Sequence, residues 1–142
     1  MIDPKLEEKL TEKARWVRAK VLEMAVRSSS GHISTAFSET ELLVALYCGG
    51  ILRYNPRNQK WPDRDRFIFS KGQGGLGLYP ILADVGYFPV SELDRFAQKG
   101  SILGVHTEWN IPGIEVITGS LGHGLPIATG IAQVAKNDGL DF

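Results

Sequence analysis

The chain has one cysteine, Cys48, so no disulfide can close within it, and a reducing, cytoplasmic compartment is the expectation. It has no excess of either charge: 16 Lys and Arg stand against 16 Asp and Glu, with no basic block. That balance argues against nucleic acid or an anionic membrane surface as the main partner. No apolar run is long enough to cross a bilayer, and the N-terminal residues carry no signal-peptide pattern. Nothing repeats at a fixed period, and no segment is of low complexity. What remains, in 142 residues of which 43% are hydrophobic, is an ordinary globular composition with enough apolar material for one core, a domain or part of one.

Glycine is what the chain has in quantity. The stretch Ser70-Lys71-Gly72-Gln73-Gly74-Gly75 separates a short aromatic and β-branched run, Phe67-Ile68-Phe69, from Leu76, Leu78, Tyr79, Leu82 and Val85 at roughly helical spacing, with Gly86 as the stop. The run reads as a buried strand, entered through Asp63-Arg64-Asp65-Arg66. A strand, a glycine loop and a helix form a place where backbone approaches a ligand closely and free N–H groups attract anions. The spacing matches neither G-x-G-x-x-G nor G-x-x-x-x-G-K-[ST], so a ligand-free turn stays open beside the binding loop. A second unit follows the same plan. Ile114-Glu115-Val116-Ile117 alternates as a short strand, Thr118-Gly119-Ser120-Leu121-Gly122-His123-Gly124 is its loop, and a helix begins near Pro126. Two such units predict an α/β fold with helices around a small parallel sheet and ligands at the carboxyl ends of its strands.

Elsewhere the pattern is helical. Asp3 is placed to cap, and Pro4 to start, a long helix whose Leu6, Leu10, Val17, Val21 and Met24 share a face. Ser28-Ser29-Ser30-Gly31 breaks it. Ser38 and Glu41 make a capping box, with Phe37 and Leu42 as a hydrophobic staple, so the second helix is expected to start there and to end at Gly49-Gly50. Ser91 and Asp94 open a short helix carrying Leu93 and Phe96. Residues 101–113 are expected to be irregular. After Pro126, Ala128, Ile131, Ala132 and Ala135 make a small-residue face suited to close packing.

His32, His106 and His123 each sit in a loop beside glycine or a turn. No two have the close spacing of zinc motifs, and Cys48 lies inside a helical pattern. Independent surface histidines are one reading. A cluster of imidazoles that moves protons and hydrogen-bonds a polar substrate is another. A Ser-His-acid hydrolase lacks its G-x-S-x-G elbow.

Four motifs now stand in order: Ser30-Gly31-His32; Asp63 through Gly72; Gly104-Val105-His106; and Thr118 through Gly124. Together they resemble the N-terminal, diphosphate-binding domain of the transketolases, and most nearly the small N-terminal subunit of transketolases made as two polypeptides. The resemblance implies a thiamine diphosphate and Mg²⁺ enzyme of pentose phosphate metabolism, in which the cofactor takes up the electrons when the C2–C3 bond of a ketose breaks. The two-carbon ketol unit then passes to an aldose. By the same resemblance His32 and His106 contact substrate oxygens and help transfer protons, Gln73, Gly119 and Leu121 lie against the cofactor, and His123, where many members carry glutamine, makes a polar contact near the cofactor or across a subunit interface.

The chain departs from the family pattern at two places. Gln73 stands where many members have histidine, and glutamine keeps a binding role but cannot shuttle a proton. Ile33-Ser34 stands where many have Pro-Gly. The resemblance also implies that the Gly-Asp-Gly segment and later Asn that hold Mg²⁺, and the whole pyrimidine-binding domain, fall outside residues 1–142. A pyrimidine-domain partner and an oligomer are therefore expected, and these residues alone are not expected to make a working site. A deoxyxylulose-phosphate synthase, which shares the architecture, and a non-catalytic interaction module are the alternatives.

Overall fold

The computed structural model describes residues 3–142. Helix α1 runs Pro4–Ser28, with the Asp3 carboxylate accepting the Lys5 backbone N–H at 3.1 Å. Ala14, Val17, Val21, Met24 and Ala25 form its buried stripe, at the three- and four-residue steps that one helix face requires. The helix ends where Ser29 turns left-handed, and Gly31, at φ 101°, carries the chain into the next helix.

Helix α2 spans Ile33–Cys48, five residues longer at its start than the Ser38–Glu41 capping box predicts. Ser38 lies inside the helix with its hydroxyl on the Thr35 carbonyl, 2.9 Å away, and Glu41 pairs with Arg18 of α1. Once Ala36 is buried in the core, the preceding turn is held helical by packing, and local capping chemistry no longer decides the boundary.

Helix α3, Gly75–Asp84, is preceded by a 3₁₀ turn over Gly72–Gly74. Every residue from Gly75 to Ala83 is buried, so α3 is the central rod of the core rather than a surface helix. Helices α1 and α2 pack on each other and on α3. Gly86, left-handed at φ 99°, follows the end of α3 as the pattern predicts. The segment Val90–Arg95 is 3₁₀ rather than α-helical, and it plugs the core with Leu93, followed by Phe96.

The parallel sheet is not found as paired strands among the described residues. Residues 67–69 and 114–117 lie in irregular backbone. Of the two runs, Phe69 is buried and Phe67 and Ile114 pack on the core, whereas Ile117 is exposed. A strand also needs a second backbone in register, and here side chains make the link instead. Thr118 Oγ1 donates to the Phe69 carbonyl at 2.6 Å, and Arg64 grips the Glu115 carboxylate through Nε and Nη2 at 2.6 and 2.8 Å.

Helix α4, Gly124–Asp138, packs on none of α1–α3 among the described residues. Of the small-residue face only Ala135 is buried, while Leu125 is 72% and Val134 57% exposed. Its anchor is at its first residue, where the Gly124 N–H donates to Ser70 Oγ at 2.9 Å.

Candidate functional site

Gly72 is the meeting point. A Cβ there would overlap the Thr118 carbonyl oxygen, so only glycine lets the first loop lie against the second. The Gly72 carbonyl accepts the Thr107 N–H at 3.2 Å, which fastens the loop after His106 to the same turn. On one side of Gly72, Lys71 Nζ donates to the Thr35 carbonyl at 3.0 Å and to Ser38 Oγ at 2.9 Å, reaching the first turns of α2 just after His32. Ser70 holds the start of α4. Four segments distant in sequence are thus tied around one turn.

That arrangement brings two of the three histidines together. His32, the residue preceding α2, and His106 are both exposed, with ring centroids 6.0 Å apart and planes at 75°. Such a pair leaves ring nitrogens open to a ligand, and imidazole nitrogens can donate, accept or move protons. Behind it, the Tyr79 hydroxyl of α3 lies 3.0 and 2.9 Å from the carbonyl oxygens of Gly104 and His106. Burial pushes the phenol well above its ordinary pKa, so it stays a donor and fixes the backbone that presents His106. Tyr79→Phe leaves those two carbonyls without that donor, and is expected to cost about 1–2 kcal/mol by urea denaturation. An unchanged unfolding free energy would remove Tyr79 from this role.

The remaining predicted residues are spread around this pair. Gln73 is half-buried in the 3₁₀ turn. Leu121 is 65% exposed, and a Cβ at Gly119 would meet nothing within 4 Å. His123 precedes α4, is exposed, and stacks on neither of the other imidazoles among the described residues.

Several of these features fit one flank of a large cofactor with polar and apolar parts. Leu121 offers an apolar platform, the backbone beside Gly119 is clear, and the buried Thr107 Oγ1 at the Gly72 turn has no hydrogen-bond partner. For Mg²⁺ the donor set is different. No three His, Cys, Asp or Glu side chains among the described residues converge so as to hold a metal ion.

One residue at this turn is not singled out by the sequence motifs. Glu39 of α2 is 6% exposed, and its carboxylate oxygens have no hydrogen-bond donor. Lys71 Nζ stands 3.1 Å from Oε2, an ion-pair distance outside hydrogen-bonding geometry. A signal for it does exist: position 39 lies three residues after Ala36 and four before Leu43, on the face that α2 buries. Burial pushes Glu39 up to about 7, against the opposing pull of Lys71.

The family model for the transketolase thiamine diphosphate-binding domain matches residues 9–141. Among curated relatives, the chain is 39% identical over 132 residues to a 6-deoxy-6-sulfo-D-fructose transketolase subunit of Clostridium sp., covering 92% of this chain and 48% of that one. It is 38% identical over 134 residues to one of the subunits of the apulose-4-phosphate transketolase of Actinobacillus succinogenes, covering 93% and 48%. The chain therefore spans about half the length of these relatives. Among solved structures, transketolase from Campylobacter jejuni superposes with a TM-score of 0.81 at 30% identity, covering 95% of this chain and 21% of that one.

Proposed function

Because the chain belongs to the transketolase family of thiamine diphosphate-binding domains, we propose that it is the N-terminal portion of the diphosphate-binding half of a two-polypeptide transketolase. In this reading residues 1–142 act in the transfer of a two-carbon ketol unit from a ketose or its phosphate to an aldose or its phosphate. The observation that supports it most directly is that α2, the 104–107 loop and the 118–124 loop are all tied to the Lys71–Gly72 turn, with the His32 and His106 rings 6.0 Å apart. Its relatives are subunits of a sulfofructose transketolase and of an apulose-4-phosphate transketolase, which supports a sugar or sugar-phosphate substrate and a second polypeptide.

Thiamine diphosphate, when bound, supplies the electron sink for breaking and forming the carbon–carbon bond. His32 and His106 hydrogen-bond the substrate hydroxyl and carbonyl oxygens and carry protons to and from them. Tyr79 and the Thr107–Gly72 bond hold His106 in place for that work. Gln73 binds through a neutral amide and moves no proton. Gly119 gives the cofactor room, Leu121 packs on it, and His123 makes a polar contact beside it or across a subunit boundary. Mg²⁺, when bound, would take its ligands from residues other than those described, which bring no three His, Cys, Asp or Glu side chains together. The segments at 67–69 and 114–117 are sheet strands in the assembled domain, where neighbouring backbone completes them. A pyrimidine-domain subunit covers the apolar side of α4, and the assembly is an oligomer in the cytoplasm.

The test is reconstitution. Joined to the Gly-Asp-Gly metal-binding segment that the family reading requires, co-expressed with a pyrimidine-domain partner and given thiamine diphosphate, Mg²⁺, a ketose phosphate and an aldose phosphate, the assembly is expected to form the ketose two carbons longer than the acceptor. Consumption of pyruvate without any ketose donor activity would assign the chain to the synthase branch instead. Absence of both activities in a stable assembly would overturn the enzymatic reading.

A further inference from the structure

We propose that the Glu39–Lys71 pair is a positioning device that locks the Gly72–Gly75 turn, which carries Gln73, onto the first turns of α2, which follow His32. The role in catalysis rests on the functional reading above, whereas the clamp itself rests on geometry alone.

The Lys71 ammonium is committed to one helix: it donates to the Thr35 carbonyl and to Ser38 Oγ, and it stands 3.1 Å from Glu39 Oε2 as an ion pair. The carboxylate fills a space that the backbone of the glycine turn and α3 leaves for it. A Cβ at Gly74 would run into Oε1, and one at Gly77 would come within 2.9 Å of the same oxygen. An apolar side chain would occupy this face of α2 without the desolvation that a carboxylate suffers. The charge is therefore retained against a cost, and what it provides is a fixed link between two loops of the site.

The surroundings make this link responsive to pH. Lys71 is the charged group that acts on Glu39. From α2 itself, Glu41 is turned away to Arg18. From α3, the Tyr79 phenol covers Gly75 and is engaged with Gly104 and His106. In the 104–107 loop, the buried side chain is the neutral Thr107, which lies against Gly72 and Gly75. The folded carboxyl binds its proton up to about pH 7, whereas the unfolded one releases it near 4.5. The folded chain thus holds the extra proton between those values, and the stability linked to Glu39 falls as pH rises across that window. Protonation there releases Lys71 and loosens the clamp, although it relieves the burial of charge.

The test follows backbone amides of the full chain by NMR from pH 5.5 to 8.5. The amides of Gly72, Gly74, Gly75 and Gly77, with those of Thr35 and Ser38, are expected to shift with one midpoint near 7, and α1 amides are not. Glu39→Gln, which keeps the shape, is expected to abolish that common titration. Lys71→Met is expected to raise the midpoint by about one pH unit or more, because the opposing positive charge is gone. The imidazoles of His32 and His106 are common to both proteins, so the difference between wild type and Glu39→Gln isolates the carboxylate. In the reconstituted assembly, Glu39→Gln is expected to flatten the change in kcat/KM across the same pH range. Glycine amides that titrate identically in Glu39→Gln, or do not titrate at all, would overturn the clamp. A clamp seen by NMR in a stable assembly without ketol transfer would leave it standing and remove its catalytic setting.

Discussion

Gly72→Ala is expected to lower the unfolding free energy by about 3 kcal/mol or more, and the melting temperature by on the order of 10 °C. The added methyl meets the Thr118 carbonyl oxygen, a backbone atom that no rotamer change can move aside. One of the two loops must therefore shift. The bonds at risk are Thr107 N–H to the Gly72 carbonyl, Thr118 Oγ1 to the Phe69 carbonyl and Gly124 N–H to Ser70 Oγ. Gly130→Ala is the matching control, because a Cβ at that exposed position of α4 meets nothing within 4 Å. Replacing a helical glycine there is expected to stabilise by about 0.5–1 kcal/mol. The two alanines should move the urea midpoint in opposite directions, and a Gly72→Ala midpoint equal to wild type would refute the close approach of the two loops.

His32→Ala and His106→Ala are each expected to lower kcat/KM of the reconstituted enzyme by about 10²–10⁴-fold while leaving stability within roughly 0.5 kcal/mol. The two effects separate because both side chains are exposed and neither takes part in the core. The double replacement is expected to fall short of the product of the single ones, since groups serving one reaction centre do not act independently. Single variants retaining more than a third of wild-type kcat/KM would mean that these imidazoles are surface histidines.

The helices are legible in the sequence because their signals are dense. Val17, Val21 and Met24 repeat at helical steps, Asp3 and Pro4 mark the start of α1, and Gly86 marks the stop after α3. The start of α2 departs from its sequence signal because Ser38 and Glu41 satisfy a local capping rule that burial of Ala36 overrides. The expectation of a sheet rests on the side chains of Phe67-Ile68-Phe69, which say that the run is buried and nothing about which backbone lies beside it. In the site, the histidines and glycine loops can be found by type and order. Glu39 cannot be found by type, since glutamate on a helix is ordinarily a solvated residue; only its register with Ala36 and Leu43 betrays it. Tyr79 reads as one of several core residues, and its hydroxyl has no sequence signature at all.

The convergence on Gly72 also bears on how the chain folds. The bonds that tie the site together join residues 36, 49 and 54 positions apart, whereas α1, α2 and the turn between them are neighbours in sequence. Long loops pay their closure entropy before such contacts reward it, so the pairing of α1 with α2 is expected to form before the site. Gly72→Ala should then act mainly on the unfolding limb of a chevron plot, with the refolding limb little changed. A chain emerging from the ribosome would have its helical frame in place before residues 118–124 arrive to press on Gly72 and finish the site.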